Sequence, residues 1–315
     1  TGAQNVAVGA ASLDANTTAS NNTAIGYNSL TASTTGANNV GIGSGALVSN
    51  TTGGNNVAVG YLALDANTTA DFNTALGTAA LGANTTGASN VAVGRNALTA
   101  NTTSSYNTAV GAEALDTNTT GGNQTGIGYA ALFANTTGTN NTAVGKSAAQ
   151  SNTEGDYNVA IGENALFANT TGGNNVAIGR QALDANTTAN NNTAVGYAAL
   201  TENTTGGQNT AVGGNAADAV TTGSNNTAVG YESAGKLTTG TDNVAIGRAA
   251  LLDTTTQSGN VAVGVESLEN NTADDNTGVG KHSLRANTTG ASNVAIGRDA
   301  LLSNTVGNEN TAVGK

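Results

Sequence analysis

The chain has 315 residues, a formal net charge of −11, only 9% charged residues and no cysteine, proline, methionine or tryptophan. Lack of cysteine excludes a disulfide scaffold and thiolate metal sites. An acidic balance without any basic run excludes nucleic acid as a partner, and no apolar stretch approaches the ~20 residues of a membrane span, so no membrane insertion by this segment is expected.

From Asn5 onward a 17-residue unit recurs: Asn–(Val/Thr)–Ala–(Val/Ile)–Gly–x–x–(Ala/Ser)–Leu–x–x–Asn–Thr–Thr–x–x–x. Copies start at Asn5, Asn22, Asn39, Asn56 and Asn73, and the period is still running at Asn293 and Asn310, where the last copy is cut off at Lys315. Length alone suggests about two globular domains. The period overrides that prior, because a short fixed repeat means one structural rung stacked on its neighbours. We therefore expect one repeat domain over residues 1–315, all-β, a parallel β-solenoid or β-roll with one rung per repeat. The start at Thr1, without methionine, is expected of a processed product or a piece of a longer chain.

Each rung opens on a strand. In Asn5-Val6-Ala7-Val8-Gly9 apolar positions alternate with period two, and the β-branched run with a recurrent Gly opposes helix. The fourth position is always aliphatic (Val8, Ile25, Ile42, Val59, Leu76), so it is expected to face a dry core. The second alternates between Val and Thr (Val6, Thr23, Val57, Thr74). The third is only Ala or Gly (Ala7, Ala24, Gly41, Gly126), which implies another backbone close by. Either the opposite wall of the same roll or a neighbouring chain could supply it. The thin aliphatic core and the half-Thr second position favour the neighbour, hence a homotrimer with cyclic symmetry.

Gly at the fifth position ends the strand. A second short segment brings Leu to the core (Leu13, Leu30, Leu47), and Asn-Thr-Thr-Gly forms the return loop. Asn at the first position, replaced once by Gln124, is placed to form an amide ladder along the stack, though tolerance of a turn would also explain it. Departures test this map. Around Ala217 and Ala234 the core Leu is missing, and Val220 and Leu237 stand where Asn is usual, which predicts that they fill the vacated space. The repeat at Ala149 lacks its Leu but keeps Asn152. A one-residue deletion falls at Thr272–Asp275, in the return loop, where changes are absorbed most easily.

The residue after the strand's Gly varies yet is often large. It holds Tyr27, Tyr61, Arg95, Tyr129, Arg180, Tyr197, Tyr231, Arg248 and Arg298. These form a candidate surface-binding stripe, with aromatics to stack on sugars and arginines to reach acidic groups. The plainer explanation is an exposed, roomy corner whose long side chains cover neighbouring rungs. The Asn-Thr-Thr units also match the N-glycosylation acceptor pattern, as a by-product of the loop's recurrence. His282 is the only histidine, expected to be solvated, so no His-based triad or metal cluster is available. Asp14, Asp65, Asp116 and Asp184 lie three or four rungs apart, too far to pair for acid–base work. The nonapeptide calcium-roll pattern is absent. No catalytic residue, metal or cofactor is expected, and the chain reads as a non-enzyme.

Asn-Val-Ala-Ile-Gly, as at 158–162, 175–179, 243–247 and 293–297, resembles the YadA-like head repeats of trimeric autotransporter adhesins. With its Thr-Thr-Gly loop it also resembles the shaft repeats of phage-type tail fibres. The resemblance spans essentially the whole chain, although the adhesin repeat is usually shorter. It implies three parallel left-handed β-rolls in a homotrimer and an extracellular place on a cell or virion surface. Self-association, and a host-surface glycan or matrix, are the partners it implies. The alternatives are an ice- or crystal-surface-binding solenoid and a purely architectural filament or surface-layer component. Against ice binding, the adjacent Thr17 and Thr18 point to opposite sides if extended.

Overall fold

The computed structural model describes residues 2–315. It contains two compact units, Thr1–Tyr157 and Asn158–Lys315, each a parallel β-solenoid built from the 17-residue rung. Every rung contributes one three-residue strand, from Val6–Val8 to Thr142–Val144 in the first unit and from Val159–Ile161 to Thr311–Val313 in the second. Within a unit successive strands pair in parallel with no slip: Val57 lies opposite Thr74, Ala58 opposite Ala75 and Val59 opposite Leu76. The shortened repeat keeps this register, with Val261 opposite Thr277. Its loop absorbs the loss, since Asn271 Nδ2 donates to Ala273 O two residues on (2.7 Å), where other rungs reach three residues on.

Backbone hydrogen bonds run from rung to rung around the rest of the turn. Leu64 N donates to Ala80 O (3.0 Å) and Thr68 N to Thr85 O (3.2 Å). Much of the loop backbone is thereby paired with the next rung, as a strand's would be. Gly at the fifth position is required: at Gly60 φ is +143°, and a Cβ would lie 2.4 Å from the carbonyl oxygen of Gly77 in the next rung.

The inside of the strand is the reverse of the sequence expectation. The Ala/Gly third position faces the core and is fully buried, as at Ala58, Ala75 and Ala92. The fourth-position aliphatics face outward, exposed at Ile25, Leu76, Val110 and Ile127 and half-buried at Ile42 and Val59. What excludes larger side chains is the opposite wall of the same roll, chiefly its Ser and Leu side chains. A Cβ on Gly41 would stand 2.7 Å from Ser29 Oγ and 3.3 Å from Leu30 Cδ1. Where Gly replaces Ala, Ser can take the freed space, as Ser29 Oγ donates to Gly41 O (2.8 Å) and Ser267 Oγ to Gly278 O (2.9 Å). The Ala column is therefore no seam between chains. Enlarging Ala143 or Ala160 would overpack the core.

The core closes with the Leu of each rung, which is fully buried at Leu64, Leu81 and Leu98. These leucines adopt left-handed backbone, with φ 52° at Leu64 and 55° at Leu98. That conformation costs about 1–2 kcal/mol for a non-glycine residue, and burying a Leu side chain returns about 1.5–3 kcal/mol. Val220 and Leu237 are fully buried, as the compensation argument expected.

Two asparagine columns line the interior. At the first position a link runs from side chain to backbone, as Asn39 N donates to Asn22 Oδ1 (2.8 Å) and Asn39 Nδ2 to Gly53 O (2.8 Å). In the second unit the expected amide ladder is present as well, as Asn243 Nδ2 donates to Asn226 Oδ1 (3.1 Å) and Asn293 Nδ2 to Asn276 Oδ1 (3.1 Å). Amide-to-amide laddering is most continuous at the twelfth position, from Asn67 Nδ2 to Asn50 Oδ1 (2.8 Å) and from Asn101 Nδ2 to Asn84 Oδ1 (2.9 Å). Each such Asn also ties down its own loop, as Asn101 Nδ2 does with Ser104 O (3.0 Å).

Candidate functional site: an outward β-branched face and its tyrosine-bearing ridge

Because the third position turns inward, each strand presents its second and fourth side chains on the outside. These stack into two columns, one of Val and Thr (Val40, Val57, Thr74, Val91) and one of Ile, Val and Leu (Ile42, Val59, Leu76, Val93). Side chains two apart on a strand lie ~6.6–6.8 Å apart, and neighbouring strands ~4.8 Å, so the columns form a regular grid. The face carries no charged side chain in any rung.

Within each unit the stripe residues form a ridge where the chain leaves this face, Tyr27, Tyr61, Arg95 and Tyr129 in the first and Arg180, Tyr197, Tyr231, Arg248 and Arg298 in the second, each directly after a positive-φ glycine. Their stacking is fixed by the backbone: Tyr27 O accepts from Gly45 N, Tyr61 O from Ala79 N and Tyr129 O from Ser147 N, all at 2.9 Å. All five ridge tyrosines are exposed. The arginines are only partly available, because three contact a carboxylate within a rung's reach. Arg95 pairs with Glu113 (2.5 Å), Arg180 lies 3.6 Å from Glu163, and Arg248 bonds Glu266. Arg298 folds onto its neighbour Asp299 (3.2 Å). Arg180 also lies over the Tyr197 ring, 5.8 Å from its centroid.

Sequence reasoning missed a second aromatic row. Phe72, Tyr106 and Tyr157 are exposed at the turn leading into the strand, in left-handed backbone with φ 62°, 64° and 57°. Asn, Asp and Gln are usual there, as the left-handed region favours. The shared register of these three residues was the available signal.

His282 is not solvated as expected. Its side chain is held between Glu266 (Nε2–Oε2 3.1 Å) and Asp299 (Nδ1–Oδ1 3.1 Å). Glu266 is held below the usual carboxylate range, chiefly by its hydrogen bond from Arg248. Asp65, Asp116, Asp184 and Asp218 are pushed above it by burial. Among the described residues no group of three acidic or histidine side chains converges as a metal site would require, and no pocket is enclosed. The Asn-Thr-Thr asparagines from Asn50 to Asn203 are buried in the ladder, so those acceptor matches are inaccessible in the folded chain. The chain matches no known protein family and no curated protein.

Proposed function

We propose that this chain is a non-enzymatic fibre segment, a rod-like adhesin or fibre shaft on a cell or virion surface, built from left-handed coils and assembled as a homotrimer. The observation that carries this reading is the outward β-branched face. A contiguous uncharged apolar surface repeated rung after rung is what a protein interface requires. The Thr column suits a seam that is partly polar, since its hydroxyls can bond across it. The seam is thus the second and fourth positions, and the strands still face the trimer axis. Light scattering on the chain at micromolar concentration tests this. A threefold mass is expected, and a monomer mass overturns it. Ile42→Lys with Val59→Lys should lower the mass, because an unpaired charge buried between copies is strongly disfavoured.

One observation favours a second reading, an ice- or crystal-surface binder. The Thr17-type hydroxyls are spent on the next rung, as Thr51 Oγ1 donates to Thr68 O (3.0 Å), but the strand face offers a regular two-column grid that the loop lacks. A thermal-hysteresis measurement separates the readings: a gap between melting and freezing points supports lattice binding, and its absence leaves the interface.

A further inference from the structure

We infer that the ridge of the first unit is a binding track for an extended, neutral β-1,4-linked polysaccharide. From Tyr27 to Tyr129 large residues occupy alternate rungs of that ridge, Tyr27, Tyr61, Arg95 and Tyr129, and small ones intervene, Ser44, Thr78 and Ala112; the alternation ends at Lys146 on the next rung. Two rungs at the parallel-strand spacing measure about 9–10 Å, which is the length of one disaccharide of an extended β-1,4-linked chain. Successive platforms would therefore meet equivalent sugars of one straight chain. A helical α-linked chain cannot keep that registry.

The rings are disposed to stack. Tyr27, Tyr61 and Tyr129 are 60%, 57% and 51% exposed, which fits a ring with one face resting on the protein and one open. The second unit shows how such a ring lies: a Cβ built on Gly214 would be 3.6 Å from Cδ2 and 3.9 Å from Cε2 of Tyr231, one rung ahead. The tyrosine thus leans back over the small residue of the preceding rung. This is the reason for alternation, since a small residue is the seat for the next ring. Sugars present apolar C–H faces that pack on aromatic faces. Arg95 keeps the track neutral because Glu113 compensates it (2.5 Å), and the net charge of −11 disfavours polyanionic glycans. In the second unit the rungs beside the tyrosines carry charged side chains, Arg180 before Tyr197 and Arg248 after Tyr231, so the alternation with small residues is broken there, although Tyr197 itself is 52% exposed.

This inference rests on the surface-fibre reading only for the place where such a glycan is met. The test is titration of the intact chain with cellohexaose, chitohexaose and maltohexaose, followed by tyrosine fluorescence, which no tryptophan obscures. Saturable binding of one or both β-1,4-linked hexamers and none of maltohexaose is expected; which of the two binds identifies the sugar. Tyr61→Ala should weaken binding about threefold to tenfold, and Tyr197→Ala should change it less than twofold. The S44Y/Y61S pair keeps composition but moves one platform by a rung, and it should weaken binding as much as Tyr61→Ala. Circular dichroism and light scattering on the same samples report fold and assembly. Equal affinity of the S44Y/Y61S pair and the unaltered chain overturns the track, as does equal binding of maltohexaose or no binding of any hexamer. A threefold mass without glycan binding would remove the track and leave the fibre; binding by a monomer would do the reverse.

Discussion

Rungs Asn50 to Asn152 and rungs Val220 to Leu237 close the same core by opposite chemistry. In the first region a polar column runs through the twelfth position, each amide bonded to the one before it and to its own loop. In the second region, Val220 and Leu237 take that position while the ninth shrinks to Ala217 and Ala234, all four buried. The solenoid therefore fixes the space to be filled and leaves open which position fills it. The exchange has a boundary cost. Asn203 Oδ1 is buried without a hydrogen bond, because the next rung offers Val220 where the ladder would supply an amide donor. An unsatisfied buried acceptor costs about 1–3 kcal/mol. A polar column is cooperative along the stack, and an apolar plug is local.

The harshest way to break the contrast is Asn101→Ala. It removes the donor to Asn84 Oδ1 and Ser104 O and the acceptor for Asn118 Nδ2. Asn84 Oδ1 is left without a partner and one N–H of Asn118 is unpaired, while Ser104 O keeps its bond from Asn90 Nδ2 and Asn118 Nδ2 its bond to Gly121 O, so a local loss of about 2–3 kcal/mol is expected. Stability in a repeat array is a sum of local parts, so hydrogen exchange of the rungs from Asn84 to Asn118 is the measurement. Uniform exchange across the first unit would show that the column is not local to its bonds. A gentler test regularises the plugged region. Ala217→Leu alone should overpack against Val220, costing about 1–3 kcal/mol. Combined with Val220→Asn it recreates the regular rung and gives Asn203 Oδ1 its donor. A double-mutant cycle should return a favourable coupling of about 1–3 kcal/mol, and additive effects would refute the exchange.

The period, the parallel strand, the rung boundaries and the plug at Val220 and Leu237 were all legible in the sequence, because repeats can be compared with one another. Which strand face is inside was not. Alternation separates Ala58 from Val57 and Val59 but does not label either side, and a β-branched pair covered by another chain reads like a core. The left-handed Leu64 and Leu98 were hidden for a related reason, since Leu carries no preference for that conformation and accepts it only for burial. The ridge was visible as variation among large residues. Its alternation with Ser44, Thr78 and Ala112 was equally visible, but gains physical meaning only once a ring is seen leaning on the rung before it.

The rung at Ala149 sharpens the comparison at smaller scale, because it has neither closure in full: Ala149 replaces Leu, and Asn152 stays in the ladder. Ala149→Leu should stabilise that rung by about 1 kcal/mol, as filling an underpacked site commonly does. The reading is slower exchange at Leu132 and its neighbours. If exchange speeds up, the rung has already collapsed into the space.

The smallest expected effect comes from the carboxylates one residue after the core position, in both kinds of rung. Burial raises Asp65, Asp116, Asp184 and Asp218 above the ordinary Asp range. Asp116 also faces Glu113, with Arg95 and Thr99 acting the other way, Asp184 faces Glu202, and Asp218 faces Glu202 and Glu232. A carboxyl whose folded pKa exceeds its unfolded one is protonated more in the folded chain within that interval, so folding takes up protons there. Stability should therefore rise as pH falls from neutral through the raised values, level off near the ordinary Asp range, and fall again on return to neutral. Glu266, held low by Arg248, Arg285 and His282, pulls the other way, but it is one group against four. Melting temperature followed from pH 7 downward should rise modestly. In the variant with all four replaced by Asn the rise should shrink, and its stability at neutral pH should exceed that of the unaltered chain. An unaltered slope in that variant would assign the effect to the overall acidic charge and not to these four sites.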